Sequence, residues 1–482
     1  MSLENNIVRD VVNSYGPRQS TPRFGTQNPS EIASFLRSSP TFKNRFVVTE
    51  PTLIAKPYDK NGSSTYTSVA LNSGSEAGDV NRTDPSTALP MSKVTSPALN
   101  VSYQGINYYN LSPFYMKEHD VWLVVIYIPV SIPVGLEIQL CVNDQSTLGS
   151  VTNARTFTWS SANDQLALGY NILSCLHVED SISTNEYGRV GTTYTNEWVN
   201  LGTQTDSTVS KSIRIRFRLS VAEATDTDIY FGGIYIAPQG WCKSAIIWSA
   251  DDVPVSFYNL AIPLIESYGW KTTLNVTSTF AGDPEGNKMS LANVKEVYRN
   301  GHEIWGHTRL HDNLDTATLA DKTQSLTSAR NFWRSQGIHS ASKFMAYPFG
   351  AYDTETIDLL PTLGYKLATT IIGVNNSPWI PGINPYTISR SNIELDNSWK
   401  VDSLLNGIIL RGMSTFTYMH EAREGGSNTN VRPAASEFYI DHLKRWCNLV
   451  KMYENEGKVI VCTGIEYYKL CGIDPWTDEF AS

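Results

Sequence analysis

The run Ala245-Ile246-Ile247-Trp248-Ser249-Ala250-Asp251-Asp252 decides the fold, because a short apolar strand runs out there into two adjacent carboxylates. Downstream of it, strand and helix signals alternate. Strands are expected over 272–276, 302–305, 344–347, 367–372, 414–419 and 459–462, and helices over 255–268, 291–300, 319–336, 354–363 and 435–454. Ser290 caps the second of these helices, and Gly269 ends the first, in which Pro263 is a blemish. Parallel strands joined by helices make an α/β layer or a distorted (β/α) barrel, whose chemistry gathers at the C-terminal ends of the strands. Asp251 and Asp252 lie at such an end.

Upstream the pattern changes. Between about 91 and 240 the apolar period is two, most clearly in Ile213-Arg214-Ile215-Arg216-Phe217-Arg218-Leu219, as on a strand with one wet face. Similar runs separated by Gly, Pro, Asn and Asp predict an antiparallel, jelly-roll-like β-sandwich, suited to glycan binding or subunit packing. The stripe Arg214, Arg216 and Arg218 reads as a solvated strand face. Residues 1 to about 90 are rich in Ser, Thr, Asn, Pro and Gly and read as a loop-rich arm, with one short helix signal at Asn28-Pro29-Ser30-Glu31-Ile32. The chain therefore divides into an arm (1–90), a sandwich (91–240) and an α/β domain (241–482).

Composition narrows the function. With 482 residues, 41% hydrophobic and 18% charged, the chain can bury a large core, and its net charge of −9 argues against nucleic acid and anionic membranes as partners. No apolar run approaches the ~20 residues of a membrane span, and the first residues lack a basic segment followed by an apolar one. The six cysteines are scattered without a C-x-x-C pair and read as buried thiols. The 25 Tyr and 12 Trp include side chains of the kind that stack on sugar rings.

An Asp-Asp pair alone also serves as a turn or a helix N-cap, so its partners decide. They come about 55 residues on, in Gly301-His302-Glu303-Ile304-Trp305-Gly306-His307-Thr308-Arg309-Leu310-His311. The i, i+4 spacing of His307 and His311 places two imidazoles on one face of a helical turn. Two histidines and one carboxylate leave coordination positions open for water and substrate, as in a catalytic metal site.

These residues resemble the polysaccharide deacetylases of carbohydrate esterase family four, the NodB-type domain, over about 241 to 470. The usual T-F-D-D is similar to Ser249-Ala250-Asp251-Asp252, and H-[ST]-x-x-H is matched in full by His307-Thr308-Arg309-Leu310-His311. R-x-P-[YF]-G resembles Ala346-Tyr347-Pro348-Phe349-Gly350, and L-x-H resembles Tyr418-Met419-His420. The resemblance implies that Asp252, His307 and His311 hold a divalent metal, most often Zn²⁺. It implies further that Asp251 is the base that activates metal-bound water, that the Phe349 N–H and the metal hold the oxyanion, and that His420 is the general acid. Trp305, Tyr347, Tyr418 and Arg390 are candidate substrate-binding residues. The sequence departs from the pattern at Ala346, where the family has an arginine that orients the base. Either another cation, Arg309 or Arg390, substitutes, or the base is tuned differently. Ile388-Ser389-Arg390-Ser391-Asn392-Ile393 is the candidate for the remaining motif, with Asp396 as partner of His420.

A deacetylase behind a loop-rich arm and a sandwich resembles a bacteriophage tail spike or tail fibre. That architecture implies an acetylated capsule or O-antigen as substrate, tail or baseplate proteins as partners, a homotrimer, and action from the virion tail at the host surface. Two alternatives stand beside it: a glycan-binding receptor on a deacetylase fold with weak turnover, and a bacterial cell-wall or exopolysaccharide deacetylase.

Overall fold

The computed structural model describes residues 228–279, 287–371, 385–394 and 398–471 without a break, and upstream of these the strands named below with short pieces beside them. The Asn28 helix signal lies outside the described residues. Two antiparallel sheets form the upstream part. One runs in the order Thr52–Ala55, Asp228–Pro238, Asp120–Ile128, Gly169–Leu176, with Ser92–Thr95 also paired to Asp228–Pro238. The other runs Ser68–Leu71, Gln104–Tyr109, Ser212–Leu219, Leu136–Asn143, Ala154–Ser160, Val199–Leu201. Trp122, Val124 and Ile126 of the first meet Ile138, Leu140, Ile215 and Phe217 of the second in one apolar core. The basic stripe is spent across strands: Arg216 Nε donates to Gln139 Oε1 at 2.6 Å, and Arg218 Nε pairs with Glu137 at 2.6 Å.

The outer face of the first sheet is apolar as well. Val121, Leu123, Val125 and Ile172 belong to the same buried cluster as Trp241, Ile409 and Met413 of the downstream domain. Polar ties reinforce that layer. Arg411 Nη1 donates to Ser174 O at 3.3 Å and to its Oγ at 3.0 Å, while Trp241 Nε1 donates to Arg411 O at 2.8 Å.

The downstream domain is a nine-stranded sheet in the order Ser249–Asp251, Thr273–Val276, Glu303–Gly306, Phe344–Ala346, Leu367–Thr370, Ile388–Asn392, Thr415–Tyr418, Ser244–Ile247, Val459–Val461. Every pairing in it is parallel. The strands at 244–247 and 249–251 are two halves of one bent segment. Its first half pairs with Thr415–Tyr418 and its second with Thr273–Val276. The second half also reaches back, because Ser249 N–H donates to Thr417 Oγ1 at 3.1 Å and Asp251 N–H to Met419 O at 2.9 Å. The sheet thereby curls until its first strand touches the one at 415–418.

Trp305 fills the inside of the curl. It is 1% exposed, stacks on Phe344 at 5.3 Å, meets Phe416 at 5.5 Å, and closes on Gly464, where a Cβ would lie 2.3 Å from its ring. Glu303, buried two residues earlier, accepts the Ile465 N–H at 2.9 Å and so holds the start of the helix Gly464–Leu470.

Several elements differ from the sequence expectation. The helix Ser398–Leu410 was not foreseen: seven of its thirteen residues are buried, and its less buried face carries Trp399 and Leu410 beside Asp402 and Asn406, which blurs the contrast between the two faces. The helix expected over 435–454 is Ile440–Asn455, since Glu437–Tyr439 instead pairs with Glu421–Arg423. Ahead of Pro263, which has no N–H to give, Phe257–Ala261 forms a wide π-helical turn that leads into the helix Ile262–Ser267. Trp305→Ala is expected to lower stability in urea unfolding by about 3–5 kcal/mol, the cost of emptying a buried aromatic site. A side chain serving only the substrate would leave the midpoint where it is.

Candidate active site

The site lies at the C-terminal mouth of the curled sheet, as strand polarity requires. Asp251 ends its strand with its side chain turned inward, 4% exposed. Arg390, from the strand Ile388–Asn392, grips it in two-pronged fashion, Nη1 to Oδ1 at 2.5 Å and Nη2 to Oδ2 at 2.8 Å. Asn275 Nδ2 donates to Oδ1 at 2.7 Å from the other side. Burial alone would raise the Asp251 pKa, but the Arg390 guanidinium, helped by His307 and His420, holds it well below the usual carboxylate range. Asp251 is therefore ionised at neutral pH.

Arg390 thus takes the position left open by Ala346. Arg309 does not, for it lines a separate shallow pocket with Asp312 and Gln324. Ala346 contributes its backbone instead, its carbonyl accepting from His307 Nδ1 at 2.8 Å, which leaves Nε2 of that ring free as a ligand atom. Burial lowers the His307 pKa and so favours the neutral imidazole that a metal requires.

Directly after the strand the chain turns through two left-handed residues, Asp252 (φ 57°) and Val253 (φ 38°). Asp252 Oδ1 comes to 3.8 Å from His307 Nε2 and 3.6 Å from His311 Nε2. This buried oxygen has no hydrogen-bond partner. Donors each about 2.0–2.2 Å from one tetrahedral ion stand roughly 3.3–3.6 Å apart, so the three residues fit a divalent metal. Contrary to expectation, the two histidines do not share a helical turn. Gly306 ends a strand, and Thr308 (φ 60°) and His311 (φ 62°) are left-handed, so an irregular turn brings the rings together at 4.9 Å. Left-handed non-glycine residues carry strain of about 1–3 kcal/mol each and gather at functional sites.

Phe349 completes this side. It is also left-handed (φ 59°), its ring lies 4.5 Å from that of His311, and it is 61% exposed. The turn spends its hydrogen bonds on the neighbours, Gly350 N–H to Tyr347 O and Ala351 N–H to Pro348 O, which leaves the Phe349 N–H as its unused donor. Gly350 permits the tight fold-back, since a Cβ there would stand 2.3 Å from Ile371 Cγ1.

Opposite stands His420, just past the strand Thr415–Tyr418. Its Nδ1 meets Glu394 Oε2 at 2.9 Å, and its backbone N–H donates to the other oxygen of the same carboxylate. Burial would lower the His420 pKa, but the hydrogen bond and charge of Glu394, with Asp251 and Asp252 behind them, raise it. Glu394 was missed in the sequence. Asp396, the partner expected there, lies outside the described residues.

A cleft of about 490 Å³ joins these groups and is also lined by Lys288, Tyr418 and Arg432. Two candidate substrate residues are not in it. Trp305 is core, and Tyr347 is fully buried with its hydroxyl donating to Tyr386 O at 2.9 Å. Tyr418 lines the cleft with the Arg390 guanidinium 5.2 Å from its ring centre.

Residues 242–368 match the family model described as polysaccharide deacetylase. The match ends before Arg390, Glu394 and His420. YxkH of Bacillus subtilis (strain 168), a protein named as a polysaccharide deacetylase, is 25% identical over 130 residues, 27% of this chain. The chain spans 45% of that relative's length. Among solved structures, the Streptococcus pyogenes deacetylase PplD in complex with acetate is 28% identical over 25% of this chain and 54% of its own, with a TM-score of 0.24. BA3943 of Bacillus anthracis, described as a family pseudoenzyme, is 13% identical over 47% of this chain and 65% of its own, with a TM-score of 0.32. Likenesses of that size carry no weight for the site.

Two outcomes are expected from the geometry. Arg390→Met should retain bound metal but lower kcat by about 10²-fold or more, with Arg390→Lys intermediate, because only a guanidinium fork grips both oxygens. Glu394→Gln should lower the His420 pKa, so a pH–rate profile that needs protonated His420 loses its alkaline limb about one pH unit earlier.

Proposed function

We propose that the protein is a metal-dependent hydrolase that removes acetyl groups from a bacterial surface polysaccharide. The observation that carries this reading is the division of labour across one cleft: Asp251 clamped by Arg390 and His420 held by Glu394 line it together with the Asp252, His307 and His311 set, and their partners push the two pKa values in opposite directions. Pairs of titratable groups pushed apart in pKa mark a base and an acid.

A divalent ion such as Zn²⁺, held by Asp252, His307 and His311, supplies the Lewis acidity that makes water nucleophilic and polarises the acetyl carbonyl. Asp251 accepts a proton from the attacking water, while Arg390 and Asn275 keep its carboxylate from turning away. The Phe349 N–H is placed to donate to the oxyanion of the tetrahedral intermediate. His420, oriented by Glu394, delivers its proton to the departing nitrogen or oxygen of the sugar.

The setting we read for it is a bacteriophage tail spike or fibre, trimeric and acting on capsule or O-antigen. The order of a Ser-, Thr- and Asn-rich N-terminal stretch, antiparallel sheets that begin at Thr52–Ala55, inside the residues read as the arm, and a hydrolase domain supports this. Acetate release from acetylated capsule or O-antigen by metal-loaded protein tests the activity. Chelation and His307→Ala should each abolish it together with metal binding. Asp251→Asn should keep the metal and lose about 10²- to 10⁴-fold in rate. Stoichiometric metal and tight glycan binding without acetate would favour the weak-turnover receptor.

A further inference from the structure

The charged groups around the cleft are not all paired with one another. Asp251 is matched by Arg390, Glu394 by His420, and Glu437 and Glu421 by Arg423. Asp252 belongs to the metal-ligand set and also stands 3.5 Å from Lys288 Nζ. Arg432 is different. It lines the same cleft, half-buried, and among the described residues its partner is a neutral one, the backbone carbonyl of Glu394 at 2.6 Å from Nη1. That bond ties down one arm of the fork on the segment that also positions His420, and leaves a full positive charge beside the substrate space with no carboxylate against it. A half-desolvated guanidinium without a counter-ion is favourable where a ligand brings the anion, since its planar fork matches a carboxylate.

We infer that Arg432 is an anchoring residue for an anionic sugar, and that the substrate is an acidic glycan bearing a carboxylate, as in a uronate, close to the acetylated residue. The inference rests on the deacetylase reading for the position of the acetyl group, but the charge recognition can be measured apart from turnover. Arg432 touches neither metal ligand nor base, so its contribution falls on substrate binding and orientation.

The experiment compares matched acidic and neutral sugars. For N-acetyl groups these are hyaluronan tetrasaccharide and chitotetraose; for O-acetyl groups, acetylated glucuronoxylan and acetylated xylan oligosaccharides. Acetate release by metal-loaded wild type should favour the acidic member by tenfold or more in kcat/KM, mainly through KM, with the preference shrinking as salt is added. Arg432→Gln should bring the acidic-to-neutral ratio close to one, and Arg432→Lys should restore part of it. Binding of the same sugars to metal-loaded Asp251→Asn, with and without Arg432→Gln, is measured by calorimetry. Acid-selective binding that needs Arg432 but comes without turnover in wild type would sink the deacetylase reading and keep this one. Equal handling of acidic and neutral sugars, or an Arg432→Gln loss that is the same on both because the Glu394 segment has merely shifted, would overturn it.

Discussion

The buried pair between Asp251 and Arg390 is the contact on which the rest of the domain depends. The two residues come from strands that are not neighbours, and the strand Thr415–Tyr418 lies between them. They meet because the bent 244–251 segment brings Asp251 across the end of that strand, where its N–H reaches Met419 O. Taking both charges out of water costs several kcal/mol per ion, and only near-ideal geometry repays it. Here the two-pronged bond, the Asn275 amide and the Tyr418 ring supply that geometry. Losing one partner leaves a buried charge alone, which costs about 3–5 kcal/mol. The curl of the sheet and the state of the base are thus one constraint.

That constraint shapes the chemistry. A carboxylate held so firmly ionised is available at any working pH but is a weak proton acceptor. General-base catalysis is most efficient when the base pKa lies near the operating pH. On the proposed reading, Asp251 therefore suits a reaction in which the water has already been made acidic, the part a metal at Asp252, His307 and His311 would play. His420 is biased the other way by Glu394, towards keeping its proton. The two groups are driven apart by opposite partners, Arg390 and Glu394, only four residues apart on one segment.

Much of the downstream domain was legible where strands are apolar and helices begin at a cap such as Ser290, whereas Ile388–Asn392, polar at Ser389, Arg390 and Ser391, was not foreseen as a strand; the structure does bring Asp252, His307 and His311, singled out by their spacing, within reach of one another. What stayed hidden depended on the way the sheet curls. Arg390 lay in the stretch read as the candidate for the remaining motif, but its choice over Arg309 as the partner of Asp251 follows from which strand ends opposite that carboxylate. Glu394 was passed over for Asp396 because position in a loop does not reveal which carboxylate turns inward. Trp305 was a candidate substrate-binding residue because it enlarges a position that is often small. Alternation along the strand instead sends it into the curl while His307, beyond the strand end, reaches the mouth.

Upstream, the layer of Val121, Leu123 and Val125 against Trp241, Ile409 and Met413 was likewise beyond the sequence pattern. A strand buried on both faces loses the alternation that marks a wet side, and Asp120–Ile128 is apolar nearly throughout for that reason. The consequence reaches the site through the chain itself. The helix Ser398–Leu410 leads from the Arg390 and Glu394 segment to Arg411, which is fastened to Ser174 of the antiparallel sheet. The strand that follows carries Tyr418 and ends just before His420. The segment that carries Glu394 near one end and His420 just past the other is thereby tied to the antiparallel sheet through Arg411, so the proposed acid of the cleft is placed by the same packing that joins the two parts of the chain.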